Sequence, residues 1–443
     1  MMHVENPPSD QHIAVIGLGY VGLPLAIALA DVGRTVTGLD VDQKKVASLN
    51  RGSSHIPDVP AEAVRRVVEA GRFAATTDAE ALRAPDAIFI CVPSPFDANR
   101  APDLSYIRSA AQSVQPRLRQ GHLIVLESTT YPGTTEEILQ PMLESTGLRA
   151  GVDFDLAFVP ERIDPGQVES RGWTIKNTPK VVGALTPQGA RRAAALLETM
   201  GAPVHVVSSP RAAELSKLLE NTFRSVNIAL VNELALLCER MNIDVWEVIG
   251  AAATKPYGFM PFRPGPGVGG HCIPVDPLYL SWKAREFDFY TSFINLAAQV
   301  NDDMPYHVVD LIVRGLSKQG RALDGANVLV LGVAFKRDID DARNSPAERV
   351  MELLMARSAT VCYHDPHVPE FHVGGNVFHR ERERLASIVL TDDAVSSSDC
   401  VVVVTGHSAV DYRRVAGRAR LLVDTCNAVP RDVPTHVVRL GAP

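Results

Sequence analysis

The sequence predicts an α/β protein in which two Rossmann-like parallel-sheet domains are joined by a central helical domain. Strand-length apolar runs alternate with helix-length segments from Ile13 to Val159. Long helical stretches then replace this alternation, and apolar strand runs return from Asn327 onward. We therefore expect a domain over residues 1–208, a helical domain over 209–318 and a third domain over 319–443.

The first predicted domain opens with a βαβ unit between Ile13 and Asp40. An apolar run (IAVIGLG), a helical stretch (PLAIALADVG) and a second apolar run (TVTGLD) follow one another. Further strand-like runs are AIFICV, HLIVLE and DLAFV. Such an order predicts an open parallel sheet covered by helices on both faces.

The helical domain begins where Ser209 can cap a helix that Pro210 opens and that continues to about Met241. A Gly/Pro-rich loop, YGFMPFRPGPGVGGHCIPVDP, interrupts the domain, and a second long helix begins at SFINLAAQV. Loops of this kind are often functional. The third domain is indicated by the runs NVLVLGVAF, TVCYHD, CVVVVTG and RLLVDT.

Composition restricts the possible partners of the chain. The 443 residues carry a formal net charge of −7 without a concentrated basic run, which argues against nucleic acid or an anionic membrane surface as the main partner. No apolar run reaches the roughly 18 residues of a membrane helix, and we expect a cytoplasmic protein. The six cysteines are scattered singly without metal-ligand spacing, so we expect reduced thiols and no metal.

The first βαβ unit carries a dinucleotide-binding pattern, GLGYVG, immediately after a strand. Gly17 permits a tight turn, Gly19 lets backbone approach a pyrophosphate, and Gly22 allows close helix packing. Asp40 ends the next strand, where a carboxylate binds ribose hydroxyls and repels a 2′-phosphate, which favours NAD over NADP. Glycines in a packing turn beside a surface aspartate are the structural alternative.

Cys272 lies in the loop GPGVGGHCIPVD among glycines and prolines that expose backbone. A nucleophilic thiolate needs accessibility and nearby donors or a cation, and this context offers both. A single cysteine in such a loop is also compatible with a structural role. His271 beside it is expected to order the loop, and the cysteines in apolar strands (Cys91, Cys362, Cys400) are expected to be core residues.

The helix AELSKLLENTFRSVNIALVNELALL places Lys217 and Asn221 one turn apart, and Asn232 lies eleven residues further on. A cation and two amides on one face suit the stabilisation of an oxyanion or an ordered water. A solvated polar stripe is the alternative. Glu161 and Arg162 follow a strand, where α/β sheets bind ligands, although loop residues also form ordinary ion pairs there.

In these residues and in the motifs around them, the chain resembles the UDP-glucose/GDP-mannose dehydrogenase family over nearly its whole length. The resemblance rests on GLGYVGLP, STTYPGT, PER, SKLLENTFRSVNIALVNE, GxGGHCIPVDP and GVAFKRDIDDARNSP, which occur in the family's order. PERIDPG, NTPKVVG and DDARNSP are most similar to the branch that acts on UDP-N-acetylglucosamine. The resemblance implies an NAD domain, a dimerising helical domain and a UDP-binding domain.

The resemblance also implies residue roles. Cys272 would be the nucleophile, and Lys217 with Asn221 would stabilise charge at C6 and position water. Glu161 would help thioester hydrolysis. Asp276 would assist catalysis or merely cap the next helix. Substrate contacts would come from Glu161, Arg162, Lys217, Asn221, Arg224, Gly269 and Lys336. Cofactor contacts would come from Gly17, Leu18, Gly19, Tyr20, Val21, Gly22, Asp40, Lys45, Val92, Thr129 and Arg343. Thr129, which also counts among the catalytic residues, would lie near the nicotinamide, and Lys336 and Arg343 would lie at the domain interface.

Two positions depart from the family pattern. Val275 stands where many members have lysine, as acetamido-sugar members tend to have a non-basic residue there. Cys426 in VDTCNAV stands where many have arginine, which puts one substrate anion contact in doubt.

The chemistry implied is a four-electron oxidation of a UDP-sugar at C6 through a Cys272 thiohemiacetal and thioester. UDP-N-acetylglucosamine is the expected substrate, with UDP-N-acetylmannosamine or UDP-glucose as alternatives. A nucleotide-sugar-binding regulator without catalysis and a two-electron 3-hydroxyacid dehydrogenase are the other classes considered. The apolar helix NIALVNELALLCERM predicts a symmetric homodimer through the central domain.

Overall fold

The computed structural model describes residues 12–96, 101–163, 172–270, 272–376, 379–433 and 436–443. His271 and the end of the PERIDPG motif lie outside the described residues. The chain divides into two compact units. The first contains Met1–Glu220 and Trp282–Phe289, and the second contains Asn221–Ser281 and Tyr290–Pro443.

The first unit is built on an eight-stranded sheet with the order β3-β2-β1-β4-β5-β6-β7-β8. Its buried strand centres form the core with the helices beside them. All neighbouring strands are parallel except β6 and β7, which pair antiparallel. The strands are β1 His12–Ile16, β2 Thr35–Leu39, β3 Phe73–Thr76, β4 Ala87–Ile90, β5 Leu123–Leu126, β6 Asp155–Phe158, β7 Lys180–Ala184 and β8 Val204–Val207.

The predicted parallel sheet is therefore confirmed for the five predicted strands β1, β2, β4, β5 and β6. β3 was not predicted, and the direction of β7 differs from that of the strands before it. Antiparallel pairing lets the chain enter β7 from the same edge of the sheet at which β6 ends. The helices of this unit are Gly22–Asp31, Gln43–Asn50, Ala61–Glu69, Ser105–Val114, Gln140–Glu144 and Pro187–Glu198, with 3-10 turns at Ala79–Arg83, Gln115–Arg117 and Arg285–Phe287 and a π-helical turn at Thr135–Leu139.

The second unit contains a five-stranded parallel sheet with the order β10-β9-β13-β14-β15 and an antiparallel hairpin, β11-β12. The four apolar runs predicted for this region all form strands of the main sheet. The strands are β9 Asn327–Leu331, β10 Thr360–His364, β11 Glu370–Gly374, β12 Arg382–Ala386, β13 Cys400–Val403, β14 Leu422–Asp424 and β15 Val437–Arg439. The shorter helices are Val245–Ala252, Pro346–Met355, Asp392–Ser397 and Tyr412–Ala416.

Two long helices confirm the helical character of the central region. The helix Pro210–Met241 begins where predicted, and the hydroxyl of Ser209 accepts a hydrogen bond from the backbone N–H of Ala212. The helix Ser292–Lys318 contains Pro305, which lacks an N–H for the helical ladder. Between them, the helix Asp276–Ala284 follows the Gly/Pro-rich loop. None of the helices in the described ranges is long and apolar enough to cross a membrane.

Candidate active site

The three glycines of GLGYVG occupy positions where side chains are excluded or a ligand needs room. Gly17 has a φ of +90°, and a Cβ there would lie 2.6 Å from the carbonyl oxygen of Cys91. A Cβ on Gly22 would lie 1.9 Å from the carbonyl oxygen of Gly17. Around Gly19 the space is open, and a Cβ added there would meet nothing within 4 Å. This arrangement fits a pyrophosphate approaching the start of the helix Gly22–Asp31.

Asp40 follows β2 and is 8% exposed. Its carboxylate accepts hydrogen bonds from the backbone N–H groups of Leu18 at 2.9 Å and Asp42 at 3.0 Å, and it pairs with Lys45 at 3.0 Å. Burial alone would raise the pKa of Asp40, but these hydrogen bonds and the lysine hold it below its usual value. The result is an ionised carboxylate at the strand end, as an NAD ribose requires.

The remaining predicted cofactor residues of the first unit surround this turn or follow neighbouring strands. Leu18 is buried and its carbonyl accepts a hydrogen bond from the His55 imidazole at 2.8 Å. The Val92 carbonyl accepts a hydrogen bond from the hydroxyl of Ser128 at 2.7 Å. Tyr20 is exposed, and Val21 and Thr129 are partly exposed.

Glu161 is held by three donors. One carboxylate oxygen accepts the backbone N–H groups of Arg162 at 2.6 Å and Ile163 at 2.7 Å, and the other accepts the ammonium of Lys180 at 2.8 Å. The guanidinium of Arg162 bonds the carbonyl of Pro179 and pairs with Glu220 at 2.7 Å. Glu161 was predicted from the sequence, whereas its partner Lys180, the first residue of β7, was not.

Lys217 is 9% exposed on the helix Pro210–Met241, so it is not part of a solvated stripe. Within the described residues, no carboxylate lies at ion-pair distance from its ammonium. One turn earlier, the fully buried Glu214 accepts hydrogen bonds from Gly133 N–H at 2.6 Å and from the N–H and hydroxyl of Thr135 at 2.9 and 2.7 Å. Glu214 therefore fixes the STTYPGT loop to the helix that carries Lys217, a role the sequence pattern did not indicate.

In the second unit, Cys272 is exposed in the loop that precedes the helix Asp276–Ala284. Its carbonyl accepts the N–H groups of Val275 at 3.1 Å and Asp276 at 2.8 Å, so the chain already follows a helical turn there. Asp276 is 2% exposed, and its carboxylate accepts a hydrogen bond of 2.6 Å from the amide of Asn221. The predicted nucleophile thus stands one turn from a buried Asn–Asp pair.

Asn232 has a different environment from the one expected. It is fully buried, and its amide donates to Asn301 at 2.9 Å while its oxygen accepts the N–H of Gly265 at 3.0 Å. The amide of Asn301 in turn donates to the Ser225 carbonyl at 3.2 Å. Asn232 therefore bonds through both its amide nitrogen and its oxygen, anchors the Gly/Pro-rich loop at Gly265, and is fully buried away from any ligand in solvent.

The end of that loop packs on the segment GVAFKRDIDDARNSP. A Cβ on Gly269 would lie 2.7 Å from the Cβ of Phe335 and 2.9 Å from the Asn344 carbonyl oxygen. Gly270 donates its N–H to the Arg343 carbonyl at 3.0 Å, and its carbonyl accepts the Asn344 amide at 3.1 Å. Gly269 is therefore closely packed against protein.

The guanidinium of the exposed Arg343 bonds the carboxylate of Asp341, while Lys336 is half-buried and Arg224 is exposed.

The second sheet repeats the strand-end arrangement of the first. Asp365 follows β10, and one of its carboxylate oxygens accepts the N–H groups of Val333 at 2.7 Å and Ala334 at 3.0 Å and pairs with His407 at 3.0 Å. Its other oxygen accepts the N–H groups of His367 at 2.8 Å and Val368 at 3.0 Å. This carboxylate is saturated by its own protein.

A group of possible metal ligands lies nearby. Ligand atoms of Asp338, His367 and His407 lie within 4.8 Å of one another. The ring of His407, however, accepts the Asp338 N–H on Nδ1 at 3.0 Å and faces the Asp365 carboxylate with Nε2. Because both ring nitrogens are engaged, His407 has no lone pair left for a cation.

Cys426, the departure from the family pattern, is half-buried after β14, and burial raises the pKa of its thiol well above the usual value.

Three models of one family match successive parts of the chain. Residues 11–201 match the NAD binding domain of the UDP-glucose/GDP-mannose dehydrogenase family, residues 211–303 match its central domain, and residues 329–431 match its UDP binding domain.

Individual relatives agree with these matches. The chain is 40% identical over 361 residues to UDP-N-acetyl-D-glucosamine 6-dehydrogenase of Pseudomonas aeruginosa, covering 81% of this chain and 83% of the relative. It is 37% identical to UDP-N-acetyl-D-mannosamine dehydrogenase of Escherichia coli K12, covering 89% and 93%. A solved UDP-D-ManNAc dehydrogenase from Pyrococcus horikoshii is similar with a TM-score of 0.87 at 32% identity, covering 97% and 99%. The chain therefore belongs to the UDP-glucose/GDP-mannose dehydrogenase family and is an NAD-dependent UDP-sugar dehydrogenase.

Proposed function

We propose that this dehydrogenase oxidises the C6 alcohol of a UDP-N-acetylhexosamine to the carboxylate, with UDP-N-acetylglucosamine as the preferred substrate. The observation that carries the proposal is the exposed Cys272 one helical turn before Asp276, whose buried carboxylate bonds Asn221. The 40% identical relative acts on UDP-N-acetyl-D-glucosamine by its name, which supports the choice of sugar. Val275, the non-basic residue in the cysteine loop, is consistent with the acetamido branch.

The residues of the first unit fit NAD. Gly19 leaves space for a pyrophosphate, and Asp40 presents an ionised carboxylate for the ribose diol. NAD, when bound, accepts a hydride from C6 in each of the two oxidations. We propose that Thr129 lies near the nicotinamide and that Lys45 and Arg343 contribute further cofactor contacts.

Cys272 keeps the intermediate attached between the two oxidations. After the alcohol has lost a hydride and a proton, the thiolate adds to the aldehyde carbon and forms a thiohemiacetal. Loss of a second hydride and a proton gives a thioester. Water then adds to the thioester carbonyl, the C–S bond breaks, and the electron pair returns to the sulfur.

The polar residues around these steps divide into donors and carboxylates. Lys217 and Asn221 would stabilise the oxygen that gains negative charge at C6 and would position water. Asp276 would hold the Asn221 amide in place, and Glu161 would orient the water that cleaves the thioester. Contacts to the nucleotide sugar would come from Arg162, Arg224, Gly269 and Lys336.

A second candidate substrate is favoured by a specific observation. The Escherichia coli relative, which acts on UDP-N-acetyl-D-mannosamine by its name, matches a larger share of the chain at 37% identity. The two sugars differ only in configuration at C2, so the same cysteine chemistry would serve both. UDP-glucose is the third candidate, and a catalytically silent regulator is disfavoured by the presence of Cys272, Lys217 and Asn221 together.

NADH formation with a panel of UDP-sugars tests the proposal. UDP-N-acetylglucosamine should give the highest kcat/KM, and the reaction should yield two NADH per sugar. The Cys272→Ala variant should lose turnover and still bind NAD and UDP-sugar, while Cys362→Ala, in the second sheet, should behave as the parent protein. One NADH per sugar with free aldehyde, or full turnover by Cys272→Ala, would refute the covalent mechanism. A higher kcat/KM for another UDP-sugar would refute the choice of sugar alone.

We also propose a homodimer through the central domain, residues 209–318. The helix Pro210–Met241 exposes an apolar stripe at helical spacing that a second copy of the chain would cover. Its exposed members are Leu215, Leu219, Phe223, Leu230, Leu234, Leu237 and Met241.

A further inference from the structure

Four ionisable side chains lie together at one edge of the first sheet. Cys91 follows β4, Glu127 follows β5, Glu161 lies three residues after β6, and Lys180 begins β7. Because β7 runs antiparallel to β6, its first residue lies at the edge where the other strands end. The register pairs Phe158 with Gly183, and its continuation places Glu161 opposite Lys180. This is the edge at which α/β sheets bind their ligands.

Their contacts form a continuous chain. The Cys91 thiol donates to the Glu127 carboxylate at 3.3 Å, and the Lys180 ammonium lies 3.5 Å from the other oxygen of Glu127. The same ammonium donates to Glu161 at 2.8 Å. Lys180 and Glu127 have fully buried side chains, whereas the Glu161 side chain keeps 11% exposure. Of the three charged members of the group, Glu161 is therefore the one that solvent or a ligand can reach.

The balance of charge in this group depends on pH. A buried ammonium requires compensating negative charge, and two carboxylates compete to supply it. Burial raises the pKa of Glu127 to about 7. The repulsion of Glu161 acts in the same direction, and the attraction of Lys180 acts against it. Burial would also raise the pKa of Glu161, but Lys180 and the two backbone N–H groups hold it below its usual value. Lys180, Glu127 and Cys91 are the titratable groups that face Glu161 from the neighbouring strands.

We propose that Lys180 is a positioning residue that holds Glu161 as an oriented carboxylate. The proposal rests on the proposed role of Glu161 in thioester cleavage. Lys180 touches neither sugar nor cofactor in this scheme and acts through Glu161. In that step the attacking water transfers a proton to Glu161 as the C–S bond to Cys272 breaks.

A measurement without substrate tests the electrostatic part. The protein is labelled with ¹³C at the glutamate side-chain carboxyl carbons, and its NMR titration is followed, with the Glu161 resonance assigned from Glu161→Gln. In Lys180→Met the midpoint for Glu161 should rise by about 1–3 pH units, because an opposite charge lowers a carboxyl pKa by that amount. Lys180→Arg should restore a low midpoint. An unchanged midpoint in Lys180→Met would overturn the proposal, whether or not the protein oxidises any UDP-sugar.

Kinetics then test the catalytic part with the same variants. In Lys180→Met the acidic limb of kcat against pH should move to higher pH, while the KM values for NAD and UDP-N-acetylglucosamine stay within about twofold of the parent values. A fall in kcat at every pH without movement of the limb would mean that Lys180 only stabilises the fold. Lys176→Met removes an exposed ion pair with Asp31 shortly before β7 and serves as the matched control.

A charge-matched variant protects the test against misfolding. If Lys180→Met leaves two buried carboxylates that prevent folding, the double variant Lys180→Met/Glu127→Gln removes one of them and retains Glu161. Its Glu161 midpoint should also lie above that of the single variant Glu127→Gln. Equal midpoints in these two variants would show that the ammonium does not control Glu161 and would overturn the proposal.

Discussion

The side-chain amide of Asn221 donates a 2.6 Å hydrogen bond to the carboxylate of Asp276, and both residues are buried. Asn221 belongs to a long helix, whereas Asp276 is the first residue of the short helix that follows the cysteine loop. The bond therefore ties the position of the cysteine loop to a polar residue of the long helix. The same bond fixes the orientation of the Asn221 side-chain amide.

Removal of the Asn221 amide should reduce catalysis more than binding. Asn221→Ala leaves the Asp276 carboxylate without this donor, and we expect kcat to fall about 100-fold, the usual effect of losing one preorganised donor. Asn227→Ala is the control, because Asn227 is partly exposed on the same helix and its amide donates to the Phe223 carbonyl one turn earlier. Steady-state NADH formation measures both variants, and equal rates would contradict a catalytic role for Asn221.

Gly269 and Gly265 form a matched pair in the Gly/Pro-rich loop. In Gly269→Ala the new Cβ would collide with Phe335 and Asn344, so the loop must move, at a cost of about 1–3 kcal/mol of stability. We expect a lower Tm and a large loss of kcat. Gly265→Ala meets nothing within 4 Å and should leave both quantities unchanged. Calorimetry and rate measurements on the two variants compare them directly, and equal effects would mean that the packing of Gly269 is not what sets the loop.

Asp40 should determine the preference for NAD over NADP. Asp40→Asn keeps the shape of the side chain and removes the charge that repels a 2′-phosphate. The Kd for NADP divided by the Kd for NAD should therefore fall by about tenfold or more. Asp42→Asn is the control, because asparagine still caps the helix Gln43–Asn50 and residue 42 is exposed. Calorimetric titration with both dinucleotides gives the ratio, and an unaltered preference in Asp40→Asn would refute this assignment.

The exposed stripe of the long helix should carry the dimer. The double variant Leu230→Glu/Leu234→Glu places two charges on residues that are 54% and 38% exposed in the single chain. We expect light scattering to give the mass of a dimer for the parent protein and of a monomer for the variant. Val389→Glu adds a charge to another exposed apolar side chain and should not change the mass. A parent protein that is an active monomer at micromolar concentration would contradict the proposed dimer.

Local sequence was sufficient to predict most of the fold. Apolar runs such as AIFICV and CVVVVTG form strands because each one is buried on both faces, and Ser209 with Pro210 marks a helix start through purely local hydrogen bonding. The antiparallel entry of β7 was not predicted. Its direction depends on how the chain returns to the sheet after β6, which the composition of KVVGA does not encode.

The candidate site was predicted where neighbours along the chain define it and missed where distant residues meet. The glycine context led to the prediction of Cys272, and strand-end position led to those of Asp40 and Glu161; their roles stay predictions. Helical spacing placed Asn232 beside Lys217 and Asn221, but Asn232 bonds to Asn301, 69 positions away, and so serves the packing of the loop. Lys180 could have been noticed as a charged residue that opens an apolar strand, yet its partner emerges only from the register of β6 and β7.

The two sheets use the same strand-end aspartate in opposite ways. Leu18 and Val333 each donate a backbone N–H to the aspartate that follows the neighbouring strand, Asp40 in one sheet and Asp365 in the other. Within the described residues, Asp40 accepts three donors, with the N–H of Asp42 alone on one oxygen, whereas Asp365 accepts five donors of its own unit. The second sheet thus has the same turn after its first strand, but the carboxylate of Asp365 has no free lone pair to accept a hydrogen bond from a ribose hydroxyl. Each chain should accordingly saturate with one equivalent of dinucleotide, although it contains two sheets of this design.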